Sequence, residues 1–246
     1  MRTLTAAIAA AALLAQASAQ DATPAAPPDS RATAREFLTR LETRHGDTRT
    51  LRGSFEQLRV DPVFLEEVRS EGTFAYEAPG KFRADYRGKN DKVSPSALYI
   101  VGDRMWNYVP ELKTVDTTTL PKGDSAAINQ ILLGFGVKVE QVDRFFEVDL
   151  AEEEGAPGAT TLVFRSKDPS RTLNYDRITI AFDPRTLLPS VLMLDSDEAR
   201  TTMTLTSVDV NPTLEAGLFD PKFPGDVEIV ERSRGGSAFD PGTGTP

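Results

Sequence analysis

The side chains that carry most enzyme chemistry are scarce in this chain. Its 246 residues hold one histidine, His45, and no cysteine. Without cysteine there is no thiol nucleophile, no thiolate metal site, no disulfide and no lipidated N-terminal Cys. His45 falls at the end of a stretch with helical spacing, where an imidazole suits the helix dipole better than a Ser-His-Asp triad. Carboxylates cluster at Glu66-Glu67 and Glu152 to Glu154. Adjacent carboxylates in turns read as solvated charge, whereas a glycosidase pair must face across a cleft. No phosphate-cradling Gly loop and no calcium-loop spacing occur, and Gly53 and Gly72 stand singly. The sequence therefore predicts no catalytic group, no metal and no cofactor, and favours a binder or carrier over an enzyme. An exported hydrolase on a β-scaffold is the competing reading.

Charge narrows the partners. Lys and Arg number 28 against 37 Asp and Glu, a formal charge of −9. A nucleic-acid binder needs the opposite sign to displace counterions. Steady adhesion to an anionic membrane is disfavoured as well.

The ends read as address and tether. Arg2, the apolar run Ala6 to Ala15 and the small-x-small Ala17-Ser18-Ala19 predict a secretory signal over 1–19 and a periplasmic product. Residues 20–29 (QDATPAAPPD) predict a flexible spacer, and 233–246 a disordered tail. The ordered domain is then 30–232.

Within it, Ala34, Phe37, Leu38 and Leu41 recur at i, i+3, i+4, i+7 and predict an amphipathic helix over 31–44. Leu51 to Val60 reads as a mixed segment. Strands are expected at 68–76, 82–86, 97–101, 104–109, 113–118, 145–150, 160–166, 175–182, 188–195, 200–210 and 227–230, from period-2 alternation between turn signals. A short apolar helix is expected at 125–133, stopped by Gly134. No β-α-β alternation appears, so a single curved antiparallel sheet is expected, with the helices buried on its concave side.

Four stretches, in order, resemble the LolA-type periplasmic lipoprotein carriers. They are LRGSFEQ (51–57), EGTFAYEAPGKFRADY (71–86), LYIVGDRMWNYVPELKTVDTTTL (98–120) and LEAGLFDPKFPGDVEIV (214–230). The Trp106/Tyr108/Pro110 run and the closing Phe219/Pro224/Gly225 segment are the most specific. The resemblance implies an α+β, mainly β fold: an incomplete antiparallel β-barrel with a helical lid over an apolar cavity. It also implies an activity. Such carriers take acylated lipoproteins from an inner-membrane ABC transporter, shield the acyl chains, and pass them to an outer-membrane receptor without binding ATP. A free-moving monomer that visits membranes briefly is the matching form. Carriage of another lipid is the alternative cargo. Two departures stand out. The family's Arg before the Pro of the second stretch, thought to tie the lid to the barrel, is Ala78 here, after Glu77; Arg83 is the candidate substitute. The segment Asp61 to Glu67 is apolar at Val63, Phe64 and Leu65, as a docking tip or extra lid would be.

Candidate residues follow from the strand faces. Phe74 and Tyr76 share one face of a strand, and Phe82, Ala84 and Tyr86 one face of its partner. They read equally as cavity lining and as core beneath a lid. Trp106 is a cavity candidate whose face is undecided. Ile178, Ile180 and Phe182, with Val191 and Met193, form the expected far wall, although methionine also fills ordinary core gaps. Phe37 and Leu41, with Ile131, Leu132 and Leu133, are the expected lid.

Overall fold

A computed structural model describes residues 28–88, 95–120, 138–151, 158–168, 175–197 and 199–231. The expected lid residues Ile131, Leu132 and Leu133 lie outside the described residues, as do the signal, most of the spacer, and the tail.

The first described element is α1 (Pro28–His45). Its four periodic apolar residues are all buried, and Gly46 closes it by donating its N–H to the Glu42 carbonyl at 2.8 Å. There follow β1 (Thr50–Val60), β2 (Glu67–Glu77), β3 (Lys81–Gly88), β4 (Ser96–Val101), β5 (Arg104–Val109) and β6 (Thr114–Thr119). After α2 (Val139–Phe145) come β7 (Phe146–Ala151), β8 (Thr160–Ser166), β9 (Arg177–Phe182), β10 (Pro189–Asp195), β11 (Arg200–Val210) and β12 (Glu228–Glu231).

These strands join one sheet of 12, in the order β12-β6-β5-β4-β3-β2-β1-β11-β10-β9-β8-β7. Among the described residues every pairing is antiparallel except β12 on β6, which is parallel. The edges β12 and β7 do not meet, so the sheet is an unclosed barrel. β1 is its centre, paired with β2 on one side and β11 on the other, and so joins the first half of the chain to the last.

The centre strand is the one that the alternation rule reads least well. Its inner face carries Leu51, Gly53, Phe55 and Gln57, which share the buried positions of an alternating pattern. Glycine and glutamine at core positions erase the period-2 hydrophobic signal. The two glycines have a packing role. Phe74 lies opposite Gly53, and Phe55 opposite Gly72. A Cβ on Gly53 would stand 2.5 Å from the Phe74 ring, and one on Gly72 2.5 Å from the Phe55 ring. Each aromatic ring thus covers the neighbouring strand's glycine, as aromatic residues do on twisted sheets. The helix α2 is a further element that the sequence pattern does not announce. Its Val139, Val142 and Phe145 are buried at a spacing of three, but seven residues are too few for periodicity to stand out.

A segment after β11 straps the outer face. Phe219 is buried, and the Phe223 ring sits 6.0 Å from Tyr99 and 5.4 Å from Tyr108. Arg83 donates to the Leu218 carbonyl at 3.1 Å and to both oxygens of Asp85. This corrects the expected role of Arg83. It stands on the outer face and ties down the strap, not the lid.

Candidate functional site

The inner face of the unclosed sheet carries one buried apolar cluster that runs from β4 to β8. Phe74, Tyr76, Phe82, Ala84 and Tyr86 join Leu98 and Ile100 on β4 in one buried cluster. Across β1 the same cluster continues through Met203, Leu192, Leu194, Ile178, Ile180, Phe182, Leu162 and Phe164. The register explains the join. Tyr76 pairs with Phe82 and Phe82 with Ile100, while Leu162 pairs with Ile180 and Ile180 with Leu192. Side chains directly opposite on one face stack into a continuous surface.

Trp106 and Met193 are not on this wall. Met105 and Asn107 pair with Ile100 and Leu98, so they point inward and Trp106, opposite Tyr99, points outward. Met193 pairs with Thr179, while its neighbours Leu192 and Leu194 face the cluster. Val191 shares the outer side with Met193. Strict alternation assigns these faces once the register is known, and an apolar run such as Val191 to Leu194 conceals it. Residues that the sequence did not single out are Phe55, Leu98, Ile100 and Phe164. Each alternates correctly within its strand, but nothing in the spacing separates wall from ordinary core.

Among the described residues, α1 packs on this wall beside β7 and β9. Phe37, Leu38 and Leu41 belong to the buried cluster, and the Phe37 ring meets Phe182 at 5.5 Å, tilted by 58°. Val142 and Phe145 of α2 join it from beside β7. Burying side chains of this size contributes about 1.5–3 kcal/mol each, so α1 is held mainly by its apolar stripe.

The rim of that cover is polar. Arg31 on α1 donates to Asp149 at 3.2 Å and to Glu147 at 3.1 Å, both on β7. Arg165 of β8 also binds Asp149, whose carboxylate is almost fully buried. Arg35 pairs with Asp143 of α2 at 2.5 Å, and Glu42 accepts the Val139 N–H at 3.1 Å. Arg31, Arg35, Leu38, Phe146 and Val148 border a cleft of about 360 Å³ between α1 and β7. The ties between lid and sheet thus come from arginines of the helix itself, not from the position now occupied by Ala78. Their exposed members contribute little each, because solvent screens them.

His45 ends this helix. Its Nε2–H donates to the Thr186 carbonyl at 3.1 Å, and burial holds its pKa below the usual histidine value. The imidazole thereby anchors α1 to the β9–β10 turn. Among the described residues, no group of three or more His, Asp or Glu could hold a metal ion. No helix among them is long and apolar enough to cross a membrane.

One apolar feature points away from the body. Between β1 and β2, Val63, Phe64 and Leu65 are 77%, 81% and 73% exposed. The turn is built to hold them out. Asp61 accepts the N–H of Val63 at 2.7 Å and of Phe64 at 2.8 Å, and these bonds lower its pKa.

Comparison with known proteins agrees with this architecture. An outer-membrane lipoprotein carrier protein of Legionella pneumophila (strain Corby) is 27% identical over 192 residues, 78% of this chain and 88% of the relative. The protein of the same name from Nitrosomonas europaea is 25% identical over 183 residues, 74% of this chain and 82% of the relative. A crystal structure of an uncharacterized conserved protein from Thermus thermophilus shares the fold, with a TM-score of 0.51 at 13% identity, over 81% of this chain and 99% of that one. The profile of the outer membrane lipoprotein carrier protein LolA matches residues 46–222, from the end of α1 through the strap, and the chain belongs to that family.

Proposed function

We propose that this protein is a periplasmic carrier that buries the acyl chains of lipoproteins against the inner wall of its open barrel. It takes them from an inner-membrane ABC transporter and hands them to an outer-membrane receptor. It acts as a monomer, without a cofactor and without catalysis. Residues 1–19 direct export, 20–29 are a spacer, 30–232 the carrier domain and 233–246 a tail.

One observation carries the reading: an amphipathic helix lies on an apolar wall that the sheet leaves unclosed. Acyl chains need that same surface, at about 0.8 kcal/mol per buried CH₂. Helix and cargo therefore compete. Displacing the helix offsets part of the cargo's binding energy, and a carrier that must release its load needs this moderation. The Val63-Phe64-Leu65 tip is the contact offered to a partner. Phe82, at 2% exposure, is wall in the covered state, so a Glu there would unfold the protein as well as block loading.

The test is mass spectrometry of the protein purified from its native periplasm. Acylated lipoproteins are the expected co-purifying species, and the intact protein also extracts a synthetic triacylated lipopeptide from vesicles. Free phospholipid or fatty acid alone would replace the cargo assignment. Protein that carries nothing and extracts nothing would overturn the reading.

A further inference from the structure

Three polar side chains interrupt the apolar wall, and among the described residues one oxygen of each has no hydrogen-bond partner. Gln57 on β1, Ser70 on β2 and Ser96 on β4 are 3%, 1% and 5% exposed. Gln57 Oε1, Ser70 Oγ and Ser96 Oγ are buried without a hydrogen-bond partner. All three face inward. Gln57 lies directly opposite Ser70, and Ser96 opposite the wall residue Tyr86. A buried polar atom without a partner is costly, and native folds rarely keep several toward one end of one face without a use.

Their position suggests the use. Gln57 and Ser70 lie near the hairpin end that carries the exposed Val63 to Leu65 tip, and Ser96 begins β4 at the same end. Going the other way along the strands, the facing residues become largely apolar: Phe74, Ala84 and Leu98, then Tyr76, with its one hydroxyl, Phe82 and Ile100. From Gln57 to Leu51 is about 20 Å of strand, enough for an acyl chain, which spans about 15 Å in half a bilayer. On β1 to β4 the inner face thus carries these polar groups toward the tip end and mainly hydrocarbon beyond them.

We infer that Gln57, Ser70 and Ser96 form a collar that receives the polar linkage joining acyl chains to their cargo: ester carbonyls and an amide. The hydroxyls donate to the carbonyls. Gln57 Oε1 accepts an amide N–H, and the Gln57 amide group can donate in turn. In the empty protein these atoms are buried and, among the described residues, unbonded. With cargo in place they are bonded, so the collar favours the loaded state and sets how deep the chains sit. The inference rests on the carrier reading and adds to it a site that recognises linkage chemistry rather than hydrocarbon.

The experiment compares two probes on the full mature chain: a triacylated cysteinyl lipopeptide, with esters and an amide, and hexadecylpyrene, with neither. The variants are Ser70→Ala with Ser96→Ala, and Gln57→Leu. Each is expected to bind the lipopeptide roughly tenfold more weakly, from the loss of one or two hydrogen bonds. Hexadecylpyrene binding stays within about twofold, and Tm is unchanged or higher because buried polar atoms without partners have been removed. Unchanged lipopeptide affinity would overturn the collar. So would a lowered Tm or an equal loss for both probes, either of which marks the three residues as ordinary structure. Wild-type protein that binds neither probe would overturn the carrier reading itself, and the collar with it.

Discussion

Replacing Phe37 with alanine is expected to tighten cargo binding while making the empty protein less stable. The Phe37 ring is buried against Phe182, and the pair holds the middle of α1 on the wall. Truncating a buried Phe costs about 3–5 kcal/mol in a core that cannot collapse. Here the loss falls on the covered state, which cargo has to displace. The same free energy that lowers Tm therefore returns as affinity, roughly 10–100-fold for the triacylated lipopeptide, until the open state dominates. Isothermal titration and thermal melting on the same sample check both halves. Weaker binding by Phe37→Ala would mean that Phe37 touches cargo instead of competing with it.

The second large effect falls on the sheet. Gly72→Ala places a methyl 2.5 Å from the Phe55 ring and closer still to the Asp85 carbonyl. The ring can turn, but the backbone oxygen belongs to the β2–β3 pairing and cannot move without breaking register. Overpacking of this kind costs about 1–3 kcal/mol, and more where backbone must shift, so Tm is expected to fall by about 5 °C or more. Gly53→Ala meets the Phe74 ring and the Ser207 carbonyl, and should behave alike. Gly225→Ala, with nothing within 4 Å, is the control that leaves Tm unchanged. Differential scanning calorimetry of the three variants decides it. A Gly72→Ala protein as stable as the wild type would contradict the described β1–β2 packing.

Much of this architecture was legible in the sequence. The strands expected at 68–76, 160–166 and 200–210 are found in the structure at nearly those bounds. Phe37 and Leu41 were legible as a buried helical stripe because helix period and burial coincide. β1 was not, because Gly53, Gln57 and Arg59 occupy alternate positions where apolar residues would announce an inner face. Two of the cavity candidates, Trp106 and Met193, sit in runs where both faces look apolar, and only the pairing with Tyr99 and Thr179 assigns them outward. The arginine ties of α1 were invisible for another reason. Arg31 and Glu147 are 116 residues apart in sequence, and no local pattern joins them.

The claim that matters most is that α1 must leave the wall for cargo to enter. The natural chain has no cysteine, so a pair introduced on the exposed rim reacts alone. Arg35 and Asp143 already meet at 2.5 Å, on α1 and α2, with their side chains 61% and 46% exposed. In Arg35→Cys/Asp143→Cys protein, joining the two thiols with a short, reducible bis-thiosulfonate reagent should abolish uptake of the triacylated lipopeptide, and reduction should restore it. Full uptake by the joined protein would contradict displacement of the helix as the route to the wall.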